Sequence, residues 1–177
     1  MPGGKSFFDT NVLLYLLSAE TAKANRAEEL LATGGVISIQ VLNEFTAVTS
    51  RKLGMSWSEI KDALGAIRAV CDIEPLTVQT HDRAVSVAER HGFSIYDATI
   101  AAAAIGAGCA TLYSEDFQDG QVVEKLTIRN PFSSKAAALR YPVEYLDRTV
   151  HAIGQKQIAM KKAQERRIAK TKDAEKF

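Results

Sequence analysis

The chain alternates between short apolar runs and longer segments with helical spacing, and this alternation is the strongest constraint on its fold. Strands are predicted at residues 5–8, 36–39, 72–76, 110–114 and 126–129, and helices at 12–17, 22–32, 41–53, 56–70, 78–91 and 94–106. Gly34-Gly35 and Gly92 follow two of these helices, as is common at helix ends. Because parallel strands need a helix-length crossover, the pattern predicts a three-layer α/β/α fold with a parallel sheet in the middle.

Several protein classes are disfavoured by what the sequence lacks. No apolar run approaches the roughly 20 residues that span a bilayer, and no secretory signal opens the chain, so a cytoplasmic protein without membrane contact is expected. Cys71 and Cys109 have neither CxxC spacing nor a nearby histidine, which favours buried thiols over a disulfide or a zinc site. The GxSxG, GxxxxGK[ST] and GxGxxG motifs are also missing, which disfavours serine hydrolases, P-loop enzymes and dinucleotide-binding proteins.

Two aspartates, Asp9 and Asp116, come just after predicted strands. The carboxyl ends of parallel strands meet at one edge of a sheet, so both side chains should point into the same crevice. Either residue alone is more simply interpreted as a helix N-cap, a common use of aspartate after a strand.

Two further acids, Glu44 and Asp97, are predicted on apolar helix faces. Glu44 lies three residues after Val41, and Asp97 is followed at helical spacing by Ile100. Acidic side chains are seldom buried without a partner, so these positions indicate a function. Ser94 and Asp97 also match a capping box, which explains an acid there without excluding a ligand role.

The four acids together make a stronger case than any one of them. Four carboxylates in one low-dielectric crevice repel one another and must take up protons or a metal ion. Oxygen ligands without clustered histidine or cysteine favour a hard cation, so Mg²⁺ or Mn²⁺ is expected, and such ions suit phosphoryl chemistry. The histidines, His81, His91 and His151, are predicted at surface or capping positions.

Four segments, in this order, resemble the PIN-domain family and in particular the VapC-type toxins of bacterial toxin–antitoxin pairs. They are Phe7-Phe8-Asp9-Thr10-Asn11-Val12-Leu13-Leu14-Tyr15, Ser38-Ile39-Gln40-Val41-Leu42-Asn43-Glu44-Phe45, Tyr96-Asp97-Ala98-Thr99-Ile100-Ala101-Ala102-Ala103 and Leu112-Tyr113-Ser114-Glu115-Asp116-Phe117. The resemblance covers residues 5–132 and implies a PIN-like nuclease domain at 1–132. It implies that the four acids hold Mg²⁺ or Mn²⁺ for endonucleolytic hydrolysis of RNA.

The same resemblance implies supporting residues and partners. Asn11 and Ser114 are similar to positions that orient the first acid and the water around the metal. Glu115 and Asp116 are adjacent and either could reach the metal, but Asp116 is preferred because it lies two residues after Ser114. A cognate antitoxin and a homodimer are expected, the latter also because the early helices carry more apolar positions than one sheet face needs.

Two other functions stay open from the residues alone. A phosphatase with Asp9 as nucleophile would generally have a second aspartate where Asn11 stands, and a lysine near a later strand, yet no lysine lies between Lys61 and Lys125. A non-catalytic RNA-binding domain of PIN-like fold would have an idle site, which the presence of all four acids disfavours.

Charge divides the chain after Phe132. Residues 1–132 carry 11 Lys or Arg against 16 Asp or Glu, a net of −5, and residues 133–177 carry 11 against 5, a net of +6. This second part is predicted to be a basic, helical C-terminal extension, with one helix at 142–153. We expect 142–153 to dock on the domain and 156–176 to act as an RNA-binding arm; a solvated tail, or a cover over an antitoxin groove, are the alternatives.

Overall fold

The computed structural model describes residues 4–133, which form a sheet flanked by helices. The strands are β1 (Ser6–Phe8), β2 (Gly35–Ser38), β3 (Cys71–Glu74), β4 (Thr111–Tyr113), β5 (Val122–Val123) and β6 (Leu126–Arg129). The helices are α1 (Thr10–Tyr15), α2 (Thr21–Ala32), α3 (Ile39–Arg51), α4 (Trp57–Val70), α5 (Val78–His91) and α6 (Ile95–Gly106). The predicted α/β fold is confirmed. The predicted helix at 142–153, the basic arm at 156–176 and His151 lie outside the described residues.

The order of the strands determines where a site can form. The sheet runs β3-β2-β1-β4-β6-β5, and every neighbouring pair is parallel except β5 and β6. The chain moves outward from β1 to β3 and then returns to place β4 on the other side of β1. The carboxyl ends of β1 and β4 therefore lie side by side, with Phe8 paired to Tyr113. Open α/β sheets bind their ligands at such a reversal of strand order.

One strand, β5, was not predicted from the sequence. It has two residues and pairs antiparallel with β6. The connecting turn is tight, since Glu124 adopts a positive φ of 56°. Two residues are too few to show an alternating pattern, and one of them, Val122, is exposed, so the strand exists only through its pairing with β6.

Local signals account for several helix ends. The capping box predicted at Ser56 and Glu59 is present at the start of α4. Gly92 ends α5 in the left-handed conformation, with a φ of 69°. Ser38 starts α3 by accepting a hydrogen bond from the backbone N–H of Val41. Because Ser38 is also the last residue of β2, α3 begins at the carboxyl edge of the sheet.

The core surrounds β1, the strand that carries the first acid. Phe7 and Phe8 point to opposite faces of the sheet and are both fully buried, so this strand lies inside the fold. Gly35 permits this packing, because a Cβ at this position would overlap the Phe8 ring. Cys71 and Cys109 are buried free thiols, as expected. Within residues 4–133, no helix has the length and apolar character needed to cross a membrane.

Candidate active site

Asp9 lies at the centre of a hydrogen-bonded group where β1 and β4 end. Its Oδ1 accepts a 2.6 Å hydrogen bond from the backbone N–H of Thr10, so Asp9 does cap α1. Its Oδ2 accepts from the Ser114 hydroxyl and, at 3.2 Å, from the Asn11 amide. Asp9 is only 2% exposed. Asp9 therefore caps α1 through Oδ1, while Oδ2 makes the contacts with Ser114 and Asn11.

Asn11 joins the two strand-end aspartates. Its Nδ2 lies 3.2 Å from Asp9 Oδ2, 3.1 Å from Asp116 Oδ2 and 3.2 Å from Ser114 Oγ. All three neighbours accept hydrogen bonds, so the amide nitrogen must face the acids. The amide oxygen, Asn11 Oδ1, is buried and has no hydrogen-bond partner within residues 4–133. The orientation of the amide is therefore set by the three contacts of its nitrogen, at the expense of a partner for its oxygen.

Ser114 fixes the turn that carries Asp116. It is fully buried, its hydroxyl donates to Asp9, and its oxygen accepts from the backbone N–H of Asp116 at 3.1 Å. The turn is also fixed through the backbone, since Ser114 N–H donates to the carbonyl of Arg129 and Asp9 N–H to the carbonyl of Tyr113, both at 3.0 Å. The structure therefore brings Asp9 and Asp116 into one crevice, as predicted.

Glu44 joins this group from α3. Its Oε2 accepts a 2.7 Å hydrogen bond from the Thr10 hydroxyl, and its Oε1 accepts one of the same length from Gln40 Nε2. Sequence reasoning missed both donors. Gln40 precedes Glu44 by four residues, a spacing that pairs side chains along a helix and could have identified it. Thr10 follows the first acid directly, but its contact with Glu44 depends on how α1 and α3 pack.

The electrostatics of the group centre on Asp9. Burial is the main reason that its pKa rises to about 7. Hydrogen bonds from Ser114 and Thr10 oppose the rise, whereas the nearby charges of Asp116 and Glu44 add to it. Near neutral pH the group accordingly favours binding a proton or a cation.

Asp97 does not share the hydrogen bonds that link the other three acids in residues 4–133. In the described part of the chain its hydrogen bonds are to Ser94, whose hydroxyl donates to Asp97 Oδ2 at 2.7 Å and accepts from the Asp97 backbone N–H at 3.2 Å. Only half of the predicted capping box is formed, because the carboxylate binds the Ser94 hydroxyl and not its backbone N–H. The structure brings Asp9, Glu44 and Asp116 together and leaves Asp97 at the N-terminus of α6.

The carboxylate oxygens have the chemistry and charge that a divalent cation requires, but they do not surround a common position that could hold one ion. The carboxylates of Asp9, Glu44 and Asp116 are hard oxygen ligands of the kind that Mg²⁺ and Mn²⁺ prefer. Among residues 4–133, no three acidic, histidine or cysteine side chains lie close enough to hold one ion. These carboxylates are held in their present positions by the hydrogen bonds described above.

The family of the chain follows from a comparison of its sequence with protein-family models. The PIN domain model matches residues 6–119, so the chain belongs to the PIN domain family. Proteins of this family are typically nucleases and generally use divalent metal ions. A search of curated proteins finds no match to this sequence.

Solved structures with a similar fold come from bacterial toxin–antitoxin systems. A toxin–antitoxin complex from Klebsiella pneumoniae is similar over 70% of this chain and 96% of its own, with 18% identity and a TM-score of 0.56. VapBC2 from Rickettsia felis, bound to a promoter DNA fragment, is similar over 71% and 97%, with 20% identity and a TM-score of 0.54. VapC20 from Mycobacterium tuberculosis, a sarcin–ricin loop cleaving toxin, is similar over 61% and 87%, with 27% identity and a TM-score of 0.51. The VapC-like resemblance seen in the sequence is thereby confirmed.

Proposed function

We propose that this protein is a Mg²⁺- or Mn²⁺-dependent endoribonuclease and the toxin of a toxin–antitoxin pair. The observation that carries the proposal is the hydrogen-bonded group at the reversal of strand order, in which Asn11 joins Asp9 to Asp116. Membership of the PIN domain family supports a nuclease activity. The sarcin–ricin loop that VapC20 cleaves is the first RNA to test as a substrate.

In this proposal the metal ligands are Asp9, Glu44, Asp97 and Asp116. A bound divalent cation supplies the Lewis acidity for phosphodiester hydrolysis. Asn11 holds the two strand-end carboxylates in place through its amide nitrogen. Ser114 holds Asp9 and the turn that carries Asp116. Asp97 joins the site by leaving Ser94.

The decisive experiment is RNA cleavage by the wild type with Mg²⁺, with Mn²⁺ and with EDTA, with Asp9→Asn as the inactive control. Metal-dependent cuts within single-stranded RNA or the sarcin–ricin loop are expected. Hydrolysis of a phosphomonoester without RNA cleavage would instead favour a phosphatase that uses Asp9 as nucleophile. RNA binding without any hydrolysis would favour a non-catalytic RNA-binding domain.

The basic extension is proposed to supply the RNA affinity that the acidic domain lacks. The domain carries a net charge of −5, which repels a phosphate backbone, and residues 133–177 carry +6. The rings of Phe132 and Tyr15 meet edge to face with centroids 4.5 Å apart, and the Tyr15 hydroxyl donates to Glu115, the neighbour of Asp116. Phe132, the last residue before the extension, therefore lies one side chain away from Glu115.

This role of the extension is tested by removing its charge in the full chain. The variant changes seven residues to glutamine: Lys156, Lys161, Lys162, Arg166, Arg167, Lys170 and Lys172. The slope of log affinity against log salt should become shallower by about 0.7 for each lost contact with single-stranded RNA. Lys61→Gln with Arg68→Gln, on the exposed side of α4, is the control. An unchanged affinity and slope would refute the arm.

Two protein partners complete the proposal. An antitoxin is supported by the similar structures, since one is a toxin–antitoxin complex and another is a VapBC assembly. A homodimer is proposed from the VapC-like resemblance. Light scattering at micromolar concentration should give twice the chain mass, and a monomer mass would remove the dimer from the proposal.

A further inference from the structure

Glu115 and Asp116 are adjacent acids that bind different partners. Asp116 accepts from Asn11 inside the site. Glu115 instead lies against α1 and α2, where its Oε1 accepts from the Tyr15 hydroxyl and its Oε2 lies 3.7 Å from Lys23 Nζ. Lys23 Nζ also donates to the Tyr15 hydroxyl at 2.7 Å, which closes a triangle of contacts. The charge of Glu115 is thus balanced by a cation outside the site.

The residues on both sides of Asp116 are held firmly, although Asp116 itself is exposed. Phe117 is 9% exposed and packs edge to face on Phe93, with ring centroids 5.0 Å apart. Glu115 is held on the other side by Tyr15, whose ring is itself packed against Phe132. Asn11 and Ser114 hold Asp116 itself, and the contacts of Glu115 and Phe117 add support from its neighbours in the chain.

We propose that Glu115 is a positioning residue, held by Tyr15 and Lys23 so that Asp116 points at the metal, and that Glu115 is not a metal ligand. This inference rests on the metal site of the proposed function. The two neighbouring acids then have different roles. Asp116 binds the cation, and Glu115 fixes the turn through a hydrogen bond that a neutral amide oxygen can also accept, but more weakly.

The test is the affinity for Mn²⁺ alone, measured from the electron paramagnetic resonance signal of the free ion. Glu115→Gln keeps an acceptor for Tyr15 but loses the ion pair with Lys23, so it should lose less Mn²⁺ affinity than Tyr15→Phe. Tyr15→Phe keeps the ring and loses the hydroxyl, so it should bind about 10-fold more weakly, in the range seen when a residue supporting a metal ligand is changed. Asp116→Asn should weaken binding further. Tyr113→Phe, which alters another half-buried tyrosine, is the matched control.

The ranking of the variants decides the question. A loss in Glu115→Gln as large as that in Asp116→Asn would show that Glu115 is a ligand and overturn the proposal. Wild-type affinity in Tyr15→Phe would also overturn it. Because both variants retain the size of the native side chain, circular dichroism should confirm that they are folded. If the wild type binds Mn²⁺ with the expected ranking but cleaves no RNA, the proposed function fails and the positioning role stands.

Discussion

Asp9 and Asp116 follow neighbouring strands and share Asn11 as a donor, whereas Glu44 and Asp97 lie on helices and bind donors of their own. Backbone pairing between β1 and β4 sets the positions of the strand-end acids. A helix-borne acid is placed by helix packing and by its own rotamer. The strand half of the site, Asp9 and Asp116, is therefore joined by hydrogen bonds to one residue. In the helix half, Glu44 reaches the neighbouring Thr10 and Asp97 binds Ser94. The proposed metal site requires Asp97 to leave Ser94.

A substitution in either half of the site should abolish RNA cleavage, although the two halves are held in place differently. Asp9→Asn and Asp97→Asn are each expected to lower single-turnover RNA cleavage by more than about 100-fold, the upper range for residues that merely support a metal ligand. Asp62→Asn, an exposed position on α4, is the control. Full activity in Asp97→Asn would mean that Asp97 serves only Ser94 and the start of α6.

Without metal, substitutions in the two halves of the site should change the free energy of unfolding differently. The pKa of Asp9 is raised from 3.8 to about 7, so the folded protein binds an extra proton between these values. The stability linked to this proton is complete below about pH 4 and is lost as the pH rises through about 7, up to about 4 kcal/mol. Asp9→Asn should flatten this dependence and be the more stable protein at pH 7.5, while Asp97→Asn should keep it.

Urea unfolding in EDTA across this pH range measures the difference. An Asp9→Asn variant less stable than the wild type at pH 7.5 would contradict the account of charge crowding around Asp9.

Metal should stabilise the wild type more than either variant. Ligand binding to the folded state alone adds about 2.7 kcal/mol at a concentration 100 times the Kd. Thermal unfolding with millimolar Mg²⁺ or Mn²⁺ should show this as a higher Tm, with a smaller rise in Asp9→Asn and Asp97→Asn. A wild-type Tm that does not respond to metal would remove the four-acid site.

The smallest effect is expected from Ser94, which binds Asp97 at the start of α6. Ser94→Ala removes the N-cap of α6 and should cost about 1 kcal/mol of stability. It also frees Asp97, so Mn²⁺ affinity should be maintained or increased. Ser56→Ala, which removes the cap of α4, is the matched control for stability and should leave Mn²⁺ affinity unchanged. Weaker Mn²⁺ binding in Ser94→Ala would show that the Ser94 contact belongs to the metal-bound arrangement.

Features that depend on a few neighbouring residues were predicted from the sequence alone. The capping box at Ser56 and Glu59 and the left-handed Gly92 formed where the local pattern placed them, because helix caps involve residues within one turn. The alternation of strands and helices likewise predicted the fold class. The short strand β5 escaped because two residues carry too little pattern.

Contacts between distant parts of the chain were decided by tertiary structure. The hydrogen bond between Asn11 and Asp116 joins residues 105 positions apart, and it exists because β4 pairs with β1 and not with β3. No local pattern encodes that choice of neighbour, which depends on how the helices pack over the whole sheet. The same holds for the partners of the remaining acids, since Tyr15 and Lys23 engage Glu115 and leave Asp116 to the site. The sequence by itself determined which acids stand at strand ends and on helices, and packing over the sheet decided which of them meet.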